Sequence, residues 1–122
     1  MPTLGNGKIC HLAIPAIDVE ASATFYEDHF GFKVKRQPHR VTFADGVDEV
    51  SGHFVPHATP MRETGMLIYI MVDDLVSMLA RLEAAGVEIV AAPGVDPGEL
   101  TAHLRDPAGN LLGIYQEPVQ ED

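Results

Sequence analysis

The pattern of apolar and polar positions divides the chain into two halves, and the first half contains five predicted elements. A short apolar run at 9–14 predicts a buried strand. Apolar residues then recur at spacings of three and four between Asp18, a residue type that caps helix N-termini, and Gly31, which suits a helix end. Three more extended stretches follow between turn residues, at 32–36, 40–43 and 49–55. This half therefore has the order β-α-β-β-β.

The second half repeats this order after a linker at 57–65. A strand is predicted at 66–72, and a helix stripe begins after Asp74 and stops at Gly86. Three further strands are predicted at 87–91, 100–105 and 110–116. The two helix caps are 74 − 18 = 56 residues apart, and this shift also superimposes the apolar stripes of the two helices. Such a repeat indicates two βαβββ modules, about 8–56 and about 66–117, in one α+β domain over residues 1–122.

Each predicted module has one sheet face that its own helix cannot cover. One helix protects a single face of a four-stranded sheet, so the other face needs a different neighbour. We therefore expect the two curved mixed sheets to form a cleft, and small molecules bind preferentially in such concave surfaces. Packing of the two sheets into a closed core, with protein binding elsewhere on the surface, is the alternative.

Composition and charge exclude several classes of partner. Eighteen acidic and eight basic residues give a formal net charge of −10, which opposes binding to nucleic acid or to an anionic membrane. The charge provides solubility, or it attracts a cationic ligand. Cys10 is the only cysteine, so no internal disulfide can form, and no apolar run approaches the roughly 20 residues that span a bilayer. We expect a cytoplasmic protein.

Four short motifs occur in the order and spacing of a known family. They are His11-Leu12-Ala13-Ile14, the FYEDHFGF segment at 25–32, the VDDL segment at 72–75 and the DPAGN segment at 106–110. In this arrangement the chain resembles the glyoxalase/bleomycin-resistance/dioxygenase superfamily, also called the vicinal oxygen chelate superfamily. The resemblance implies the glyoxalase-like fold. It also implies a homodimer, because members commonly pair modules or subunits to complete their sites.

The resemblance also implies positions for a divalent metal ion, which catalytic members hold with His and Glu side chains from the first and last strands of each module. His11 matches the first of these positions. The repeat places Leu67 at the second position, or Met66 when the glycines that end the two helices are aligned. The last two positions fall on Gly52 and Gly113. One ligand falls short of the three protein groups that an open metal site needs, so no metal cofactor is expected. His53 would reach the cleft only through a bulge or a different strand register.

The candidate ligand-binding residues follow from strand alternation starting at His11. They are His11, Ala13, Gly52, Phe54, Tyr69, Met71, Gly113 and Tyr115. The same alternation places Cys10 under the first helix. We therefore expect a metal-independent small-molecule-binding protein whose ligand is cationic or aromatic. The alternative is a glyoxalase-like lyase or isomerase, or a dioxygenase, that uses Zn, Ni, Mn or Fe with His11 as one ligand.

Overall fold

The computed structural model describes residues 2–63, 66–91 and 100–117. The chain divides into two compact units, and the boundary between Pro60 and Met61 lies inside the predicted linker at 57–65. Within the described residues, each unit contains one helix and one four-stranded mixed sheet. The predicted α+β class and the repeated βαβββ order are therefore confirmed. That the two units form a single domain stays a prediction, and residues 64 and 65 of the linker lie outside the described residues.

The first unit is a mixed sheet with the strand order β1-β4-β3-β2. Strand β1 runs parallel to β4, and the other neighbours are antiparallel. The elements are β1 (His11–Pro15), α1 (Val19–Phe30), β2 (Lys33–Gln37), β3 (Arg40–Ala44) and β4 (Ser51–Val55).

Helix α1 begins and ends where the sequence predicts. The Asp18 carboxylate accepts a hydrogen bond from the Ala21 amide at 3.1 Å, and Gly31 ends the helix in the left-handed conformation at φ 69°. Four aromatic rings with neighbouring centroids 5.1 to 5.9 Å apart connect the helix to its sheet. They are the buried rings of Tyr26, Phe32, Phe43 and Phe54.

The second unit repeats the topology with the strand order β5-β8-β7-β6. Strand β5 is parallel to β8, and the other pairs are antiparallel. The elements are β5 (Tyr69–Met71), α2 (Leu75–Ala84), β6 (Ile89–Ala91), β7 (Thr101–Arg105) and β8 (Leu111–Tyr115). Neither helix in the described part of the chain has the length and apolar character needed to cross a membrane.

Helix α2 and the turn before β8 also follow from local sequence. The Asp74 carboxylate accepts from the Ser77 amide at 3.1 Å, and the helix buries Leu75 and Leu82. In the DPAGN turn, the buried Asp106 carboxylate accepts hydrogen bonds from the backbone amides of residues 108 and 110 and from the Asn110 side chain. The turn is therefore fixed by its own side chains, which explains why this short string marks the start of the last strand.

Candidate functional site

Strand register decides which side chains share a face of the first sheet. Residues paired across neighbouring strands point to the same face, and side chains alternate along each strand. His11 pairs with Ser51, Ala13 pairs with His53, and His53 pairs with Thr42. These residues occupy the face opposite the aromatic cluster under α1, which we refer to as the first open face. It includes His11, Ala13, Lys33, Lys35, Arg40, Thr42, Ala44, Ser51 and His53.

A hydrogen-bonded pair of imidazoles is the main chemical feature of the first open face. His11 Nε2 lies 2.8 Å from His53 Nδ1, and the two ring centroids are 5.0 Å apart. His11 Nδ1 lies 3.3 Å from the Ser51 hydroxyl oxygen, and that hydroxyl donates to the Cys10 carbonyl at 3.2 Å. The register between β1 and β4 is regular through this region. His53 thus reaches the face of His11 without a bulge, through a strand register different from the one assumed, which is the second of the two routes expected from the sequence.

Two of the expected ligand-binding residues, Gly52 and Phe54, do not lie on the first open face. Phe54 is 4% exposed and packs in the aromatic cluster under α1. A Cβ atom at Gly52 would lie 2.2 Å from Phe43 Cζ and 2.4 Å from the Leu12 carbonyl oxygen, so this glycine also faces the helix side. The expectation that they share the face of His11 is wrong, because the assumed register of β4 was displaced by one residue.

Cys10 is exposed, so the expectation that it packs under the helix is also wrong. It precedes the first residue of β1, at a position that α1 does not cover. A shallow cavity of about 150 Å³ lies beside it, lined in part by Pro2, Leu4 and Lys8. This volume is below the roughly 300 to 1,000 Å³ of typical small-molecule sites, so we do not assign a ligand to it.

The charge of the first open face is opposite in sign to that of the whole chain. Lys33, Lys35 and Arg40 all lie on this face and are exposed. By contrast, Arg36 lies on the helix side of β2, where its guanidinium contacts the carboxylates of Glu20 at 2.8 Å and Glu27 at 3.2 Å. The basic side chains are thus sorted by strand alternation, and those on the open face have no paired carboxylate among the described residues.

The environment of His53 favours its neutral form. Desolvation by its surroundings, followed by the positive charge of Arg40 and the charge of His11, lowers the pKa of His53 below its ordinary value of 6.5. At neutral pH, His53 is therefore an uncharged imidazole that can donate one hydrogen bond and accept another.

The second sheet presents a different set of side chains on the face opposite its buried apolar residues. Gly113 pairs with Tyr69 on one side and with His103 on the other, so all three share this face. The Tyr69 hydroxyl lies 3.0 Å from His103 Nε2. A Cβ atom at Gly113 would lie 2.5 Å from the Tyr69 ring, so the missing side chain lets the two partners meet across the central strand. We refer to Tyr69, Met71, Thr101, His103, Gly113 and Tyr115 as the second open face.

The four residues predicted on this second sheet, Tyr69, Met71, Gly113 and Tyr115, do share one face. Met71 is 65% exposed and pairs with Tyr115. The Tyr115 hydroxyl donates to the Glu117 carboxylate at 2.9 Å, and this bond, followed by burial and the carboxylate charge, raises the pKa of Tyr115 above its ordinary value. The surface is aromatic with polar edges. Ligand binding by these residues, and by His11 and Ala13, stays a prediction.

The registers also revise the internal alignment of the repeat. Ala13 pairs with His53, and Tyr69 pairs with Gly113. Because Ala13 and Tyr69 are 69 − 13 = 56 residues apart, the counterpart of Gly113 is His53, at 113 − 53 = 60 residues, and not Gly52. The first module therefore has imidazoles at both of its strand positions, whereas the second has Leu67 and Gly113 at the corresponding places.

The side chains present do not fit a divalent ion. Both ring nitrogens of His11 are engaged, one with Ser51 and one with His53. Leu67 and Gly113 have no side-chain donor, and the described residues contain no group of three or more His, Cys, Asp or Glu side chains placed to hold a metal ion. An open metal site needs about three protein ligands, and this arrangement offers one imidazole nitrogen without a protein partner.

Residues 8–114 match the sequence model of the Glyoxalase/Bleomycin resistance protein/Dioxygenase superfamily. The chain belongs to this superfamily. This match covers both modules described above, so the resemblance seen in the short motifs is confirmed.

Individual relatives are distant in sequence and similar in fold. The virulence protein STM3117 of Salmonella typhimurium strain LT2 is 28% identical over 120 residues, which cover 89% of this chain and 83% of that protein. TnmS3, an antibiotic binding protein from Streptomyces sp. CB03234, has a TM-score of 0.70 at 24% identity, with 95% of this chain and 100% of that chain covered. FosX of Listeria monocytogenes, a fosfomycin resistance protein, has a TM-score of 0.75 at 14% identity and covers 93% of each chain. The two structural similarities show a shared fold.

Sequence reasoning left Ser51 and His103 out of the candidate site and named His53 only as an alternative. For β4 the signal was present, because polar Ser51 and His53 alternate with Gly52 and Phe54. In a strand that is covered on one side, a large apolar residue such as Phe54 indicates which face is buried. For His103, alternation with buried Ala102 and Leu104 gives the same indication.

Proposed function

We propose that this protein binds a small organic molecule without a metal ion and that the first open face is part of its binding surface. The observation that carries this proposal is the state of the imidazole pair. His11 uses both ring nitrogens within the protein, which leaves the Nε2 atom of His53 for a ligand. One open nitrogen suits a directional hydrogen bond to an organic ligand, whereas a metal ion needs several such groups.

The second open face, taken by itself, is an aromatic surface that also suits a planar small molecule. Tyr69 is 47% exposed and Met71 is 65% exposed, so both offer apolar area to a planar molecule, and the Tyr69 hydroxyl offers a polar contact. TnmS3, which has the same fold, is an antibiotic binding protein, and FosX is a fosfomycin resistance protein. These relatives support binding of small molecules as the general role. They do not specify the ligand.

The basic residues of the first open face favour an aromatic ligand over a cationic one. Lys33, Lys35 and Arg40 share this face with His53, so a cation placed there would experience repulsion from near neighbours. The positive charge of Arg40 already acts on His53, because it contributes to the lowered pKa of this imidazole. We therefore place aromatic molecules with weakly acidic groups first among the candidate ligands.

A thermal-shift screen combined with metal analysis tests the proposal. A ligand present at 100 times its dissociation constant stabilises the protein by about 2.7 kcal/mol through mass action. We expect aromatic compounds to raise the Tm of the wild type and of a His57→Ala control, which removes an exposed histidine in the turn after β4. The same compounds should give a much smaller shift with His53→Ala.

Metal analysis of the purified protein can contradict the proposal. Purified protein with stoichiometric Zn, Ni, Mn or Fe that is lost in His11→Ala would overturn metal-independent binding and favour a lyase, isomerase or dioxygenase. A metal content far below one ion per chain, together with ligand-induced stabilisation, would support it. We also propose a homodimer in the cytoplasm, and light scattering during size-exclusion chromatography tests the dimer directly.

A further inference from the structure

The hydrogen bonds of Ser51, on the first open face, determine which ring nitrogen of His11 carries a proton. A serine hydroxyl carries one proton and can accept through its lone pairs. The Ser51 hydroxyl donates to the Cys10 carbonyl at 3.2 Å. Toward His11 Nδ1, 3.3 Å away, the Ser51 oxygen must therefore act as an acceptor, so His11 carries its proton on Nδ1.

The protonation of His11 in turn determines which ring nitrogen of His53 donates a hydrogen bond. A neutral imidazole has a proton on one ring nitrogen, so His11 Nε2 is an acceptor once Nδ1 is protonated. His53 Nδ1 lies 2.8 Å from this acceptor and must donate to it. His53 Nε2 is then left with a free lone pair. Within the described part of the chain, no hydrogen bond to this atom is formed.

The surroundings of His53 define which chemical group suits that lone pair. Ala13, His53, Thr42 and Lys35 form one row across four neighbouring strands, so a small side chain and a hydroxyl flank the imidazole. Arg40 lies two residues from Thr42 on the same face, a diagonal position that places strand neighbours roughly 7 to 8 Å apart. Positive charge at that distance stabilises an oxygen that acquires negative character and opposes an ammonium group.

We propose that His53 Nε2 accepts a hydrogen bond from a weakly acidic hydroxyl of the ligand, such as a phenolic or enolic O–H, while Arg40 and Lys35 stabilise the negative character of its oxygen. This inference rests on the proposed function and names the ligand class for the same surface. Ser51 and His11 are positioning residues that act through the tautomer of His53. The ligand hydroxyl keeps its proton, so the step is one of recognition.

The tautomer can be measured without any ligand. Long-range ¹H–¹⁵N NMR spectra at pH 8, above the ordinary imidazole pKa of about 6.5, distinguish protonated from unprotonated ring nitrogens. We expect His53 of the wild type to be protonated at Nδ1 and bare at Nε2. Ser51→Ala removes the acceptor for His11 and should populate the opposite His53 tautomer, whereas Ser51→Thr retains a hydroxyl and should restore the wild-type pattern. A wild-type His53 protonated at Nε2 would overturn the inference, as would an unchanged tautomer in Ser51→Ala.

Three related probes then test the ligand class by NMR titration. They are 4-methylphenol, 4-methylanisole, which lacks the hydroxyl proton, and 4-methylbenzylamine, which is cationic. We expect 4-methylphenol to bind the wild type and Ser51→Thr about fivefold more tightly than 4-methylanisole, the effect of one ordinary hydrogen bond. In Ser51→Ala, the affinities for 4-methylphenol and 4-methylanisole should differ by less than twofold.

The outcomes separate this inference from the proposed function. Equal binding of the phenol and the anisole, or the absence of binding by both, would contradict recognition of a hydroxyl proton. Preference for the amine would contradict the role of Arg40 and Lys35. In each of these cases, metal-free binding of other molecules detected by thermal shift would leave the proposed function intact. Stoichiometric metal on His53 Nε2 would contradict both.

Discussion

The substitution Gly52→Ala gives the sharpest test of the strand register that places His53 on the first open face. In the observed register, the new methyl group points toward α1. It would lie 2.4 Å from the Leu12 carbonyl oxygen and 2.2 Å from Phe43 Cζ. The carbonyl belongs to the neighbouring strand and cannot move freely, and the Phe43 ring is packed between Phe32 and Phe54 with centroids 5.2 and 5.1 Å away. The clash must therefore distort the sheet or the aromatic cluster.

The expected loss of stability follows from the cost of overpacking a core. Such insertions cost about 1 to 3 kcal/mol, and contact with backbone places this site near the upper end. The reduced freedom of the unfolded chain after Gly→Ala offsets about 0.4 to 1 kcal/mol. We expect a net loss of about 2.5 kcal/mol. With an unfolding entropy of about 2.1 cal/mol/K per residue, this corresponds to a Tm lower by about 10 °C.

Gly113→Ala is the matched control. Its methyl group would meet the Tyr69 ring 2.5 Å away, but this side chain is 47% exposed and can rotate outward. Urea unfolding followed by circular dichroism should therefore give a free energy of unfolding within about 1 kcal/mol of the wild type. If Gly52→Ala lowers the Tm by less than about 2 °C, or if both variants lose equal stability, the assignment of the two glycines to different faces is wrong.

Three further predictions concern the open faces and the turn. Gly113→Ala should disrupt the hydrogen bond of 3.0 Å between Tyr69 and His103, which NMR can detect as a changed His103 ring-nitrogen shift, and a signal identical to the wild type would argue against it. Asp106→Ala should lower the free energy of unfolding by about 2 kcal/mol or more, because three donors lose their acceptor; retention of wild-type stability in urea would refute this. His53, which faces His11, Arg40 and Lys35, has a folded-state pKa below its unfolded value, so its contribution to stability is complete above about pH 6.5 and declines as the pH falls through that value and then the folded pKa. His53→Gln should reduce this acid-side decline in urea unfolding measured between pH 8 and pH 5, and an unchanged slope would contradict the assignment.

The fold could be predicted because its determinants are local and repeated. Asp18 and Asp74 cap the two helices, and the DPAGN turn fixes the start of the last strand. The faces of β4 could not be assigned correctly by aligning Gly52 with Gly113, because a glycine does not indicate which face of a strand is buried. A displacement of one residue moves every side chain of a strand to the other face, so a small alignment error exchanged His53 for Phe54.

The charge of the first open face is opposite in sign to the net charge on which the expectation of a cationic ligand rests. The chain carries a formal charge of −10, yet Lys33, Lys35 and Arg40 lie on the first open face while Arg36 is turned toward Glu20 and Glu27 of α1. Period-two alternation thus separates neighbouring basic residues of β2 into a paired group and an unpaired group. Among the charges that act on His53, that of Arg40 is positive and lowers the pKa of this imidazole. The register that brings His53 beside His11 therefore also places basic side chains on the same face, and this is why the function that we propose favours an aromatic, weakly acidic ligand.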